Sequence, residues 1–114
     1  MAGVDTLLER GYVDANRMYV TGCSGVLSSW MIGQTDRFAA AAVRCPVINW
    51  MSFAGTTDIT VWGYYRCEGY PWDNPEKYLE HSPLMYVGNV TTPTLLMTGE
   101  LDLRTPMSQT EEYY

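Results

Sequence analysis

A serine follows a short β-branched stretch in Val20-Thr21-Gly22-Cys23-Ser24-Gly25-Val26-Leu27. The stretch is close to G-x-S-x-G, in which a serine on a sharp strand-to-helix turn projects its hydroxyl and acts as a nucleophile. In such a turn the backbone N–H of the next residue, Gly25, stabilises an oxyanion. The pattern departs at Val26, where glycine is usual. Taken alone, the stretch fits equally well with Ser24 being a turn residue or a helix N-cap.

Asp102 is the second residue that could take part in catalysis. It lies in Gly99-Glu100-Leu101-Asp102-Leu103-Arg104-Thr105-Pro106, directly after a short apolar run. Catalytic triads occur in the chain order serine, aspartate, histidine, with the aspartate orienting the histidine. The alternatives are that Asp102 is a surface turn residue or the ion-pair partner of Arg104. Ser24 and Asp102 in this order therefore predict acyl-transfer chemistry more strongly than either residue alone.

The third member of such a triad is missing from the sequence. His81 is the only histidine, and it precedes Asp102, in Glu80-His81-Ser82-Pro83. It falls at the end of a predicted helix, where a partial positive charge is favourable. We therefore interpret His81 as a helix-terminal residue and not as the catalytic base.

The elements that would position Ser24 and Asp102 alternate between helix and strand. The sequence predicts a helix ending near Gly11, a turn at 14–17, a strand at 18–21, a helix at 25–33, a strand at 39–43, an irregular aromatic stretch at 46–74, a helix from Asn74 to before Pro83, a strand at 94–98, and a final helix from Thr105. This alternation is typical of an α/β fold with a parallel sheet flanked by helices. Three strands leave both sheet edges open, so the sequence predicts part of a domain.

Composition excludes several classes of partner. The chain has 114 residues and a formal net charge of −6, and it contains no Lys/Arg cluster, which argues against nucleic acid or an anionic membrane surface. No apolar run approaches the roughly 20 residues that span a bilayer, and no signal-peptide pattern opens the chain. Three widely spaced cysteines, Cys23, Cys45 and Cys67, predict buried free thiols, not a disulfide framework or a zinc site.

Several runs make the sequence resemble a known family. They are Arg10-Gly11-Tyr12-Val13-Asp14, Thr21-Gly22, Thr35-Asp36-Arg37-Phe38-Ala39-Ala40, Asn49-Trp50, Pro71-Trp72-Asp73-Asn74-Pro75-Glu76-Lys77-Tyr78, Ser82-Pro83-Leu84, Thr92-Pro93-Thr94-Leu95-Leu96 and the stretch from Gly99 to Pro106. In this order they resemble the catalytic domain of the prolyl oligopeptidase family of serine peptidases, and most of all its acylaminoacyl-peptidase and dipeptidyl-peptidase-like members.

The resemblance implies a partial α/β-hydrolase fold and a set of site residues. Ser24 would be the nucleophile, Asp102 the carboxylate that orients the histidine, and Gly25 the oxyanion donor through its backbone N–H. Val47, Trp50 and Phe53 match the segment that in the family helps line the pocket for the residue before the scissile bond; the alternative is core packing. The substrate would be a peptide, and no metal or organic cofactor is needed.

The resemblance also predicts the domain organisation. Residues 1–114 would be a C-terminal portion of a peptidase catalytic domain, incomplete at both ends and lacking the upstream strands and the histidine region. The strand-to-helix turn around Ser24, the nucleophile elbow, is two residues shorter than in the family. The next helix must therefore start earlier or change register to keep Trp30 inside. The compartment, whether cytoplasmic, periplasmic or secreted, stays open.

We expect no peptidase activity from the isolated chain. The rival interpretations are a non-catalytic remnant or binding module of the same fold, and an esterase. We also expect the open sheet to be covered by missing parts of a parent chain or by a second copy.

Overall fold

The computed structural model describes residues 1–114. The strands are β1 (Tyr19–Cys23), β2 (Ala40–Arg44) and β3 (Thr94–Met97). The α-helices are α1 (Ala2–Glu9), α2 (Val26–Gln34), α3 (Trp50–Thr56), α4 (Val61–Cys67), α5 (Pro75–Glu80) and α6 (Met107–Tyr113), and the two 3₁₀ helices are Ala15–Arg17 and Pro83–Asn89. None of the helices has the length and apolar character needed to cross a bilayer.

The three strands form one parallel sheet in the order β1-β2-β3. At the carboxyl ends, Cys23 of β1 lies opposite Arg44 of β2, and Arg44 lies opposite Met97 of β3. The loops that leave the strands therefore start at the same edge of the sheet, which is where α/β proteins place their reactive groups. The predicted parallel sheet flanked by helices is confirmed, and all three strands lie within a few residues of their predicted positions.

The core covers one face of the sheet. Ala41 and Val43 of β2 pack with Ile32 of α2 and Tyr113 of α6 in one buried cluster. Alternate residues of a strand point to opposite faces, and the other face carries side chains that are exposed to solvent: Tyr19, Leu95 and Met97. The sheet is thus covered on one side and open on the other.

The stretch at 46–74 is not irregular, and this prediction was wrong. It contains α3 and α4, and the Asn49 side chain caps α3 by accepting hydrogen bonds from the N–H groups of Met51 and Ser52. Two aromatic residues of this stretch, Trp50 and Phe53, pack into a second core cluster together with Val47, Cys67 and Tyr78. Helical stability in proteins comes mostly from such packing and outweighs intrinsic propensity.

The cysteines differ in exposure. Cys67 is buried as predicted, Cys45 is half-buried, and Cys23 is exposed. The prediction was wrong for Cys23 because this residue ends β1 and lies on the same face of the strand as the exposed residues Tyr19 and Thr21. All three thiols are free.

Candidate active site

The turn after β1 has the strained backbone that a nucleophile elbow requires. Ser24 has φ +63°, in the left-handed region that a residue with a Cβ adopts rarely, and Gly25 follows with φ +45°. Such a conformation costs about 1–3 kcal/mol and persists where the surrounding structure enforces it. The Ser24 side chain is exposed and the next helix, α2, begins only two residues later, at Val26. The predicted strand, sharp turn and helix around Ser24 are therefore present.

Position 25 requires glycine because the turn lies directly against the end of β2 and leaves no room for a side chain. A Cβ at this position would lie 2.6 Å from both Cα and Cβ of Pro46 and 2.9 Å from Cγ1 of Val43. The Gly25 N–H donates to no other backbone or side-chain group of the chain. It therefore has no hydrogen-bond partner within the chain.

The helix that follows is secured at its first turn by two buried serines. The Gly25 carbonyl oxygen accepts from the Ser29 N–H at 2.9 Å, from the Ser29 hydroxyl at 2.6 Å and from the Ser28 hydroxyl at 3.0 Å. The helix starts directly after the turn, and Trp30 packs edge-on against Tyr86 with ring centroids 4.7 Å apart. The helix thus begins within one residue of its predicted start, and Trp30 is partly buried.

Asp102 lies in the turn after β3 and its carboxylate is well supplied with donors. One oxygen accepts from the N–H groups of Arg104 at 2.9 Å and Thr105 at 2.8 Å, and the other accepts from the Thr105 hydroxyl at 2.9 Å. The Thr105 N–H is the main reason that the pKa of Asp102 lies below its usual value, and it outweighs the opposing effect of burial. Asp102 is therefore held as an anion.

Arg104 does not form its ion pair with Asp102, so that alternative is not what the structure shows. Its guanidinium binds both carboxylate oxygens of Asp58, at 2.6 and 3.2 Å, which lowers the pKa of Asp58. The Thr57 hydroxyl also donates to the Arg104 carbonyl at 2.7 Å, and the Asp58 N–H donates to the Leu103 carbonyl at 3.0 Å. The loop between α3 and α4 thereby fixes the Asp102 loop in place.

A cavity of about 450 Å³ opens beside Ser24. Its other lining residues are mostly apolar, and they are Phe53, Ile59, Val61, Trp62, Tyr65, Arg104 and Thr105. Of the three residues predicted for the substrate pocket, Phe53 lines this cavity, whereas Val47 and Trp50 are buried in the cluster behind it. Trp50 lies behind Trp62, with ring centroids 5.8 Å apart. Ser24, Phe53 and Thr105, which binds Asp102, thus line the same cavity.

His81 does not line the cavity beside Ser24. It follows the last residue of α5, and its Nδ1 lies 2.7 Å from the Lys77 carbonyl oxygen. The cavity that it lines is shared with Val26, Leu27, Trp30 and Arg66, and contains neither Ser24 nor Asp102. The interpretation of His81 as a helix-terminal residue agrees with this position.

Two supporting residues escaped sequence analysis. Thr105 binds Asp102 through both its N–H and its hydroxyl, and the Cys45 thiol lies near enough to the Asp102 carboxylate to help lower its pKa. The spacing Asp102-x-x-Thr105 is a local signal for the first contact, because Asp side chains often bind the backbone two or three residues ahead. Nothing in the sequence around Cys45 indicates that its thiol lies near Asp102.

Comparisons with known proteins agree with this geometry. The family model described as "Prolyl oligopeptidase family" matches residues 1–114. The chain is 39% identical over 121 residues to the uncharacterized peptidase YuxL of Bacillus subtilis, covering all of this chain and 18% of YuxL. It is also 39% identical over 122 residues to the acylamino-acid-releasing enzyme of Mus musculus, covering 97% of this chain and 16% of that enzyme.

Solved structures show the same relationship. Acylaminoacyl peptidase of Pyrococcus horikoshii superposes with a TM-score of 0.89 at 30% identity, covering 98% of this chain and 19% of that one. A puromycin hydrolase superposes with a TM-score of 0.86 at 28% identity, covering 98% of this chain and 18% of that one. The chain therefore spans less than a fifth of each of these relatives and has the corresponding part of their α/β-hydrolase fold.

The match extends over every residue of the chain, and it includes the strand, strained turn and helix around Ser24 and the loop that carries Asp102. The chain belongs to the prolyl oligopeptidase family.

Proposed function

We propose that this chain carries the nucleophile and the orienting carboxylate of a serine peptidase, which cleaves peptide bonds through an acyl-enzyme on Ser24. The observation that carries the proposal is the exposed Ser24 in a left-handed turn at the end of a parallel strand, followed by the unpaired N–H of Gly25. The Ser24 hydroxyl attacks the scissile carbonyl and the Gly25 N–H donates to the resulting oxyanion. A histidine takes the hydroxyl proton and later gives it to the leaving amine.

Asp102 fits the role of the group that orients this histidine. It follows β3, which is two strands away from β1, or roughly 9–10 Å at the level of the backbone. An imidazole with a hydrogen bond at each nitrogen spans a large part of this gap. The lone pairs that Arg104 and Thr105 leave free on the carboxylate can accept the imidazole N–H. Because Asp102 is held as an anion, it would stabilise the imidazolium that forms.

The histidine of this proposal comes from outside the 114 residues, since His81 lies elsewhere. Removing one member of a catalytic triad lowers kcat by several orders of magnitude. We therefore propose that residues 1–114 alone are inactive, and that Ser24 becomes reactive when a histidine is placed between it and Asp102.

The cavity beside Ser24 suggests the substrate class. Phe53, Trp62 and Tyr65 give it an aromatic lining, which suits an apolar side chain next to the scissile bond. Two relatives are named for acylated amino acids, and one of the solved acylaminoacyl peptidases is in complex with Z-Gly-Gly-Phe-chloromethyl ketone. We propose that the substrates are N-acylated peptides with an apolar residue before the cleaved bond.

A chimera tests this function. Residues 1–114 would replace the matching segment of Pyrococcus horikoshii acylaminoacyl peptidase, which supplies the rest of a catalytic domain. We expect the folded chimera to hydrolyse an N-acylated peptide amide at least a thousandfold faster than its Ser24→Ala variant, and residues 1–114 alone to show no turnover. A folded chimera without peptidase activity would favour the non-catalytic alternative, and one that cleaves only esters would favour the esterase.

The open face of the sheet suggests a partner for the isolated chain. Tyr19, Leu95 and Met97 expose 68%, 58% and 45% of their surfaces on this face. We propose that a second copy covers it when no other segment does.

The test of this self-association compares two leucine substitutions. In sedimentation velocity at increasing concentration, Leu95→Thr is expected to weaken association at least tenfold, because it removes apolar surface from the contact. The matched variant Leu101→Thr, on a loop leucine that is 89% exposed, is expected to leave association unchanged. A monomer at all concentrations, or equal effects of the two variants, would contradict the proposal.

A further inference from the structure

Two thiols meet at the carboxyl edge of the sheet, next to the turn that carries Ser24. Cys23 ends β1 and pairs in register with Arg44, and Cys45 is the residue after Arg44. A strand spacing of about 4.8 Å and a rise of about 3.3 Å put the Cα atoms of Cys23 and Cys45 about 6 Å apart. Disulfides form across Cα separations of about 4.4–6.8 Å. The backbone geometry therefore allows the two cysteines to be bridged without moving the strands.

The backbone at Cys45 departs from the regular geometry of β2. Cys45 has φ +46°, so the backbone turns at this residue and its side chain leaves the alternation of β2. Its N–H is held by the Met97 carbonyl at 2.7 Å. The Cys45 thiol lies close to the Cys23 thiol and to the Asp102 carboxylate, and burial together with these two neighbours raises the pKa of Cys45.

We propose that Cys23 and Cys45 form an oxidation site that takes a peroxide and closes to an intramolecular disulfide. Cys23 is the exposed member, so a peroxide reaches its sulfur first. The Cys23 thiol loses its proton, the thiolate attacks one peroxide oxygen, and the O–O bond breaks. The hydroxide or alkoxide that leaves takes up the proton, so that Cys23 becomes a sulfenic acid and water or an alcohol is released.

The second step joins Cys45 to Cys23. The Cys45 sulfur attacks the sulfenic sulfur of Cys23, the S–O bond breaks, and the proton of the Cys45 thiol is transferred to the departing hydroxyl group, which leaves as water. Over both steps the thiols lose two electrons and two protons, and the peroxide is reduced to an alcohol or water and one further water molecule. The product ties the residue before Ser24 to the residue beside Asp102.

The third cysteine serves as an internal control. Cys67 is fully buried at the end of α4 and packs against Tyr78 and other members of the second core cluster, away from both thiols. The fold therefore favours one of the three pairings that three cysteines allow. This selectivity does not depend on the proposed peptidase function, because it follows from the positions of the thiols alone.

Disulfide mapping of the unmodified chain tests the proposal. Trypsin cleavage after Arg17, Arg37, Arg44, Arg66 and Lys77 leaves each cysteine on its own peptide, 18–37, 45–66 or 67–77. The chain would be treated with hydrogen peroxide, its remaining thiols alkylated, and the digest analysed by mass spectrometry without reduction. We expect peptides 18–37 and 45–66 to be linked in a monomer, and the thiol titre to fall from three to one per chain and to recover with dithiothreitol.

Two controls make the test specific. The same treatment in guanidinium chloride is expected to lose the preference for this pair, because the fold no longer positions it. In a Cys45→Ser variant, dimedone is expected to trap Cys23 as a sulfenic acid. Linkage to peptide 67–77, disulfides only between chains, or a native chain that keeps both Cys23 and Cys45 reduced would overturn the proposal.

Discussion

Replacing Asp102 by asparagine is expected to lower kcat of the chimeric peptidase about 10⁴-fold, with little change in KM. The amide is neutral, so it no longer stabilises the imidazolium that forms when the histidine takes the Ser24 proton. It also presents an NH₂ group that favours the wrong tautomer of the histidine. Steady-state kinetics with an N-acylated peptide amide measure the effect.

The exposed residue Asp36 provides the matched control. Asp36→Asn makes the same chemical change away from Ser24 and is expected to leave kcat within a factor of two. A loss of less than tenfold for Asp102→Asn in a folded chimera would show that Asp102 does not orient the histidine. Because the Thr105 N–H keeps the pKa of Asp102 low, the fall of activity towards acidic pH should follow protonation of the histidine, which has an ordinary pKa of about 6.5, and not protonation of Asp102.

Gly25→Ala is expected to destabilise the chain by about 3–5 kcal/mol. The added Cβ would lie 2.6 Å from the Cα of Pro46, a backbone atom that cannot turn away, and φ at this position is +45°. The clash and the left-handed conformation act together, so the elbow has to move away from β2. Urea unfolding followed by tryptophan fluorescence at low protein concentration measures the loss.

Gly22→Ala is the control for this prediction. A Cβ at Gly22 would meet only the Ser28 hydroxyl oxygen at 3.7 Å, an ordinary contact, and the change is expected to cost less than about 1 kcal/mol. Equal losses for the two variants would contradict the close approach of the elbow to Pro46.

The regular part of the fold was predictable because its signals are local. Short apolar runs bounded by Gly and Pro predicted all three strands, and the order of helices and strands predicted a parallel sheet. The helices α3 and α4 were missed because their stability comes from distant partners. Trp50 and Phe53 pack against Cys67 and Tyr78, which are 14 to 28 residues further along the chain.

In the candidate site, too, local patterns carried the predictions and contacts between distant residues were missed. The assignment of Ser24 and Asp102 as site residues, which stays a prediction, came from short patterns and from their order along the chain. The ion pair of Asp58 with Arg104 joins residues 46 apart, and the proximity of Cys45 to Asp102 requires the register of β2 against β3. No local pattern carries this information, because only the folded sheet brings these residues together.

The site of reaction with a fluorophosphonate tests the central claim most directly. Such a probe forms a covalent bond with a serine that an adjacent base activates. In the chimera, the adduct is expected on tryptic peptide 18–37, with fragment ions that place it on Ser24, while residues 1–114 alone and the Ser24→Ala chimera stay unlabelled. A chimera that hydrolyses peptides while its adduct lies on a different serine, or while Ser24 stays unmodified, would contradict the assignment of Ser24 as the nucleophile.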